Sequence, residues 1–136
     1  MLVSLSTPSE MNGTSVNAVS DSDVFIDRLQ GHAGAADVFA EYERVFISRI
    51  TWIEVMVGAR TSSQEAAART AFKAVDIVEV TSHISELAVA IRKTRRLKLP
   101  DAIILATAQA LGLTLITRNV RDFREQDPMV RVPYRL

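Results

Sequence analysis

Short apolar runs recur along the chain between longer stretches in which apolar residues return every three or four positions. The first pattern suits strands covered on both faces, the second helices with one buried side. Val16 to Asp21, Val45 to Ser48, Asp76 to Val80 and Leu113 to Ile116 read as strands, and Val130 to Val132 as an edge strand ended by Pro133. Helices are predicted over Asp21 to Leu29, Ala35 to Glu43, Ile50 to Ala59, Thr61 to Lys73, Thr81 or Ser82 to about Leu97, and Pro100 to Leu111. Asn119 to Arg124 reads as one more helical turn. Strands separated by helices in the order β-α-α-β-α-α-β-α-α-β-α-β imply an α/β domain. Its central parallel sheet has about four to five strands, with helices on both faces.

The densest apolar segment runs from Leu99 to Ile116. Pro100 suits the first helical position and Gly112 the position just past the end. Between them only Asp101, Thr107 and Gln109 are polar, so most of this helix is expected to be interior. Asp101 stands in its first turn, where the helix N-terminus favours negative charge. A buried carboxylate there also asks for a cation. In the helix after the second strand, Ile50, Ile53 and Val57 share a face, with Glu54 at its border. Asp21, Asp23 and Asp27 lie within seven residues. Asp21 and Ser22 suit the start of a helix, on which Asp23 and Asp27 share a side and repel. They fit a capped surface helix. A calcium loop fits poorly, because Phe25, Ile26 and His32 occupy positions that need an oxygen ligand, a glycine and a glutamate.

The first 15 residues, rich in Ser and Thr with Pro, Asn and Gly, read as a flexible lead-in, leaving 16–136 as a single domain. The chain has 136 residues and is 48% hydrophobic, enough to bury a core. It has no Cys, which excludes disulfides, a thiolate nucleophile and a zinc–thiolate site. Two histidines, His32 and His83, cannot build a multi-histidine metal site. No apolar run reaches membrane-span length, and the start lacks the order of a signal peptide. A cytoplasmic protein with no membrane partner is expected. Sixteen basic and sixteen acidic residues cancel, so only the distribution of charge can point to a partner. One basic run stands out: Arg92, Lys93, Arg95, Arg96 and Lys98. It suits a helix C-terminus and a solvated face, or contact with phosphates.

In open parallel sheets, sites form beyond the carboxyl ends of the strands. Asp21 ends the first strand, and Asn119 and Asp122 follow the fourth. Glu54 lies one turn into the helix after the second strand, and Asp101 begins the helix before the fourth. Four distant segments thus bring an acid or amide to one rim. Clustered carboxylates repel unless a hard cation joins them, and Mg²⁺ or Mn²⁺ suits oxygen ligands. Such an ion supports phosphodiester hydrolysis without His or Cys.

Four segments carry a family resemblance. They are Val19 to Asp27 (VSDSDVFID), Ile47 to Gly58 (ISRITWIEVMVG), Leu99 to Ala108 (LPDAIILATA) and Leu115 to Phe123 (LITRNVRDF). In this order and spacing the chain, over about residues 16–133, resembles the PIN-domain ribonucleases, and among them the VapC-type toxins of toxin–antitoxin pairs. The resemblance implies a metal-dependent endoribonuclease acting on RNA, dimeric, and held inactive by a cognate antitoxin. Asp21, Glu54 and Asp101 match the family's metal-site acids. Asn119 falls at the fourth position, often a carboxylate, with Asp122 close behind, and the fourth ligand is either of the two. Asp21, Glu54, Asp101 and Asp122 are the candidate catalytic residues. Ser22, Thr117, Arg95 and Arg96 are the candidate substrate-binding residues. Ser22 stands where the family has Thr and keeps the hydroxyl. Basic residues 92–98 could also meet an acidic antitoxin segment. Two other readings compete. A phospho-accepting signalling domain would use Asp21 but expects a Lys near a strand end, and Thr117-Arg118-Asn119 offers none. A non-catalytic PIN-like binding module would have lost several acids, whereas three of the matched positions keep theirs.

Overall fold

A computed structural model of the chain describes residues 16–124 and 126–136. The lead-in assigned to residues 1–15 lies outside them. The described chain runs β1 (Asn17–Ser20), α1 (Ser22–Leu29), α2 (Ala33–Ala40), β2 (Arg44–Ser48), α3 (Arg49–Gly58), α4 (Ser62–Phe72), β3 (Asp76–Val78), α5 (Ser82–Thr94), α6 (Leu99–Leu111), β4 (Thr114–Ile116) and β5 (Val130–Arg131). The five strands form one sheet in the order β3-β2-β1-β4-β5. Every pairing is parallel, with Val19 opposite Phe46 on one side and Leu115 on the other.

Successive side chains of a strand point to opposite faces, and the sheet separates two cores accordingly. Ala18, Ile47 and Ile116 join the core under α1, α2 and α4, with Phe25, Val38 and Phe72. Val19, Phe46 and Leu115 join the core under α5 and α6, with Ile84, Ile91, Ile104 and Leu105. This is the two-faced burial that continuous apolar strands require. The first links, β1 to β2 to β3, build outward in one direction. The chain then returns past β1 to place β4 on its other side. The point where the direction reverses lies between β1 and β4, where an open α/β sheet leaves a crevice at its carboxyl edge.

Local chemistry fixes the ends of the helices. Ser48, Thr61 and Thr81 cap α3, α4 and α5 by accepting backbone N–H groups. Gly112 ends α6 at φ 65°, in the left-handed region open to glycine. Three expectations need correction. The second helix starts at Ala33 rather than Ala35, because His32 Nδ1 accepts the Ala35 N–H at 3.2 Å. β3 ends at Val78. In α3 it is Thr51 and Val55 that face inward, while Ile53 and Val57 are 43% and 75% exposed. The stretch Asn119 to Arg124 is the single helical turn expected, closed by the Phe123 N–H on the Asn119 carbonyl four residues back (3.0 Å).

Phe123 anchors that turn, with its side chain fully buried in the α5–α6 core. Truncation there leaves a cavity next to the segment that follows β4. Phe123→Ala is therefore expected to cost about 3–5 kcal/mol of stability, and Phe123→Leu clearly less. Urea unfolding with unchanged slope checks this.

Candidate functional site

Asp21 lies at the carboxyl end of β1 and also caps α1. Its backbone N–H donates to the Ile116 carbonyl (2.9 Å), extending the β1–β4 ladder. Its side chain is 4% exposed. Oδ1 accepts the Ser22 N–H at 2.7 Å and Oδ2 accepts the Thr117 hydroxyl at 2.7 Å. The Thr117–Asp21 bond spans the reversal point of the sheet, joining residues 96 apart in sequence.

Glu54 projects from α3 and is exposed. Ser22 Oγ donates to Glu54 Oε1 at 2.7 Å and lies 3.0 Å from Thr51 Oγ1. A hydroxyl has one proton, so the Thr51 proton completes the second bond. Ser22, expected as a substrate contact, thus holds Glu54 in place. Thr117, expected in the same role, is fully buried and gives its hydroxyl to Asp21, while its oxygen accepts the Asn119 N–H (3.0 Å). That burial assigns it to support of the acid rather than to contact with a strand from outside.

Beyond Thr117 the turn is organised by Asn119 and Asp122. Asn119 Oδ1 accepts the Asp122 N–H at 3.2 Å, and Asn119 Nδ2 donates to Asp122 Oδ2 at 2.9 Å. Both amide atoms of Asn119 are therefore turned toward Asp122. Asp101, in the first turn of α6, is half-buried rather than fully buried. It feels the charges of Asp122 and Glu54 as well as Lys98. Asp101 is thereby within electrostatic reach of Asp21, Glu54 and Asp122.

Burial and repulsion show in the proton affinities of Asp21 and Asp101. Burial above all, with the charges of Asp23 and Asp101, pushes Asp21 up to about 8 against the hydrogen bonds from Thr117 and Ser22. Asp101 is also raised, first by burial and then by Asp122 and Glu54, with Lys98 opposing. Asp23 belongs to this region too, a residue whose spacing suggests a surface helix. Burial raises it, and its Oδ1 is buried without a hydrogen-bond partner. Asp27 is no surface residue either: it is 7% exposed and gripped by Arg118.

Among the described residues no three acid or imidazole side chains already close into a ligand shell. Glu54 is turned to Ser22, Asp122 to Asn119, and Asp21 to Thr117. The donor set is all oxygen and strongly anionic, which fits a hard divalent cation.

Arg95 and Arg96 of the basic run line an adjoining polar groove of about 860 Å³, where they meet Arg121, Arg124, Asp122 and Asp127. Arg95 is paired with Asp127 at 3.1 Å. Arg121 and Arg124 lie outside the expected set. Spacing alone gives no sign of them, since they reach the groove only because the turn after β4 folds back beside the end of α5.

A family model for the PIN domain matches residues 18–127. Among solved structures, a toxin–antitoxin complex from Klebsiella pneumoniae contains a chain 42% identical to this one. The match covers 88% of this chain and 99% of that one, at a TM-score of 0.80. The DNA-bound VapBC of Salmonella typhimurium matches at 18% identity and TM-score 0.71, over 86% and 98% of the two chains. Mycobacterium tuberculosis VapC20, a sarcin–ricin loop cleaving toxin, matches at 19% identity and TM-score 0.57, over 80% and 91%. At those identities the latter two show the fold alone. No curated protein sequence gives a match. No helix among the described residues is long and apolar enough to cross a membrane.

The raised carboxyls set the pH dependence of the metal-free protein. Their protonation is more favourable folded than unfolded, so they favour folding below their ordinary values near 3.8, and that contribution is lost as pH rises toward about 8. Asp27, lowered by Arg118, works the other way and matters only in acid. In EDTA the melting temperature is expected to fall by several degrees between pH 6 and 9. Asp21→Asn should flatten that fall, as scanning calorimetry of both proteins would show.

Proposed function

The chain belongs to the PIN domain family, and on that premise we propose that it is a metal-dependent endoribonuclease, the toxin of a toxin–antitoxin pair acting in the cytoplasm. The observation that supports this reading is that Asp101 feels Glu54 and Asp122 and is felt by Asp21 at one rim of the sheet, with the proton affinities of Asp21 and Asp101 raised by burial and repulsion. Mg²⁺ or Mn²⁺ would be held by Asp21, Asp101 and Glu54, with Asp122 and Asn119 completing the set. When bound, the ion activates water and offsets negative charge on the phosphoryl oxygens.

The protein's own groups supply the rest. Thr117 and the Ser22 N–H fix both oxygens of Asp21, so its position is set before any cation arrives. Ser22 holds one oxygen of Glu54 and leaves the other free to accept the proton of the attacking water. Water oxygen bonds to phosphorus while the opposite P–O bond breaks, and the leaving oxygen is protonated from solvent. Asn119 serves mainly to orient Asp122, whose carboxylate then supplies the fourth negative charge.

Arg96, Arg121 and Arg124 form the phosphate path into this rim, with Arg95 available once it leaves Asp127. The Klebsiella pneumoniae relative was solved as a toxin–antitoxin complex, which supports a cognate antitoxin as partner. A homodimer is the assembly that the family resemblance implies.

Asp101→Asn is expected to lower Mg²⁺-dependent RNA cleavage by about a hundredfold or more while the fold persists. Normal turnover in a preparation free of contaminating nuclease would overturn the assignment. A second expectation concerns the groove. Arg95→Gln with Arg96→Gln should weaken RNA binding and reduce the slope of log K against log salt by about 0.7 for each phosphate that the protein no longer neutralises. Filter binding across a salt series measures this, and an unchanged slope returns the run to a solvated face.

A further inference from the structure

Arg118 lies in the chain between the two residues that position the acids, Thr117 on Asp21 and Asn119 on Asp122. A guanidinium on this segment is a potential occupant of the acid cluster. Its charge is felt by both Asp23 and Asp27, which stand one turn apart on α1 and share a side of that helix. The guanidinium pairs with Asp27, while the Arg118 backbone N–H faces the Asp23 carboxylate. Nε donates to Asp27 Oδ2 at 2.7 Å and Nη2 to Asp27 Oδ1 at 3.0 Å, a two-pronged pairing. The Tyr134 hydroxyl also donates to Asp27 Oδ2 at 2.7 Å, and the Tyr134 ring stacks on His32 with centroids 4.6 Å apart. Asp23, nearer the cluster, keeps a buried Oδ1 with no hydrogen-bond partner. An unpartnered buried acceptor is costly, and a freed guanidinium would be drawn to it.

We propose that Asp27 is a positioning residue that holds the Arg118 guanidinium away from the carboxylate cluster, so that the cluster stays open to a divalent cation from solution. This rests on the metal-dependent reading above. A buried ion pair is by itself weak grounds for stability, since apolar replacements often do as well. Its placement gives it the role: Asp27 stands on α1, the helix that Asp21 caps, and takes up the Arg118 cation that would otherwise neutralise the cluster. Tyr134, from the C-terminal segment, secures Asp27 for this task by occupying one of its oxygens and fixing it against α2.

The test is calorimetric titration with Mn²⁺ alone on the parent chain, Asp27→Asn, Arg118→Met and the double variant, each confirmed folded by thermal unfolding. Asp27→Asn frees the arginine and is expected to weaken Mn²⁺ binding about tenfold or more, the scale on which one nearby cation alters a carboxylate. Arg118→Met removes the competitor and should bind Mn²⁺ at least as well as the parent. The double variant should recover most of the affinity that Asp27→Asn forfeits. A scaffolding role predicts the reverse, with Arg118→Met weakened and the double variant no better than Asp27→Asn. That result overturns the proposal, as does unchanged affinity in Asp27→Asn. If Asp27→Asn does not fold, Arg118→Met alone decides in the same terms. A parent chain that binds no Mn²⁺ overturns the metal-dependent reading together with this one, whereas failure in the variants alone leaves that reading standing.

Discussion

Asp21 is a carboxylate almost sealed from water, with other carboxylates in reach and no ion pair of its own. Burial on these terms is costly, and the sheet is built to bear it. β1 is central and flanked on both edges, so its end cannot move to relieve the acid. The hydroxyl of Thr117 and the N–H of Ser22 take its two oxygens. Both come from segments that the sheet fixes independently: α1 follows β1 directly, and Thr117 follows β4 in register with it. Repulsion among the acids is therefore stored in a rigid frame and stays available to a cation.

Much of this architecture is legible in the chain. The strands from Val19 to Leu115 show as apolar runs because they are covered on both faces, and Pro100 and Gly112 bound α6 because a helix start and a left-handed end select those residues. Asp21, Glu54 and Asp101 can be found because topology alone brings strand ends to one rim. What stays hidden depends on three-dimensional pairing. Asp27 reads as a surface acid until Arg118, 91 residues later, is seen to grip it. The phase of α3 is easily misread because Ile53 and Val57 look like a buried stripe. The cap at Ser48 starts the helix so that Thr51 and Val55 face inward instead.

The hydroxyl residues show why a motif position and a role are different things. Ser22 and Thr117 stand where contact with a substrate is plausible, and both turn out to hold acids. A hydroxyl beside a carboxylate at 2.7 Å is committed. Asn119 follows the same logic, since its amide meets Asp122 through both atoms. A neutral amide that fixes a neighbouring carboxylate can do for the site what a carboxylate at its own position would do, at one step removed.

The overall charge of zero conceals how the charges are distributed. Outside the rim five acids are paired: Asp76 with Arg44, Glu79 with Arg49, Asp127 with Arg95, Glu41 with Arg131 and Asp27 with Arg118. Asp21, Asp23, Glu54, Asp101 and Asp122 take part in none of the ion pairs among the described residues. Most of these pairs are exposed and contribute little to stability, but each removes an arginine from competition for the rim. Coulomb attraction is stronger inside a protein than in water, so a guanidinium released beside the buried acids would be drawn to them. At residue 118 the chain also places a buried anion, Asp27, to hold the cation. A neutral protein thereby keeps a locally anionic edge, next to a groove whose arginines carry the opposite charge.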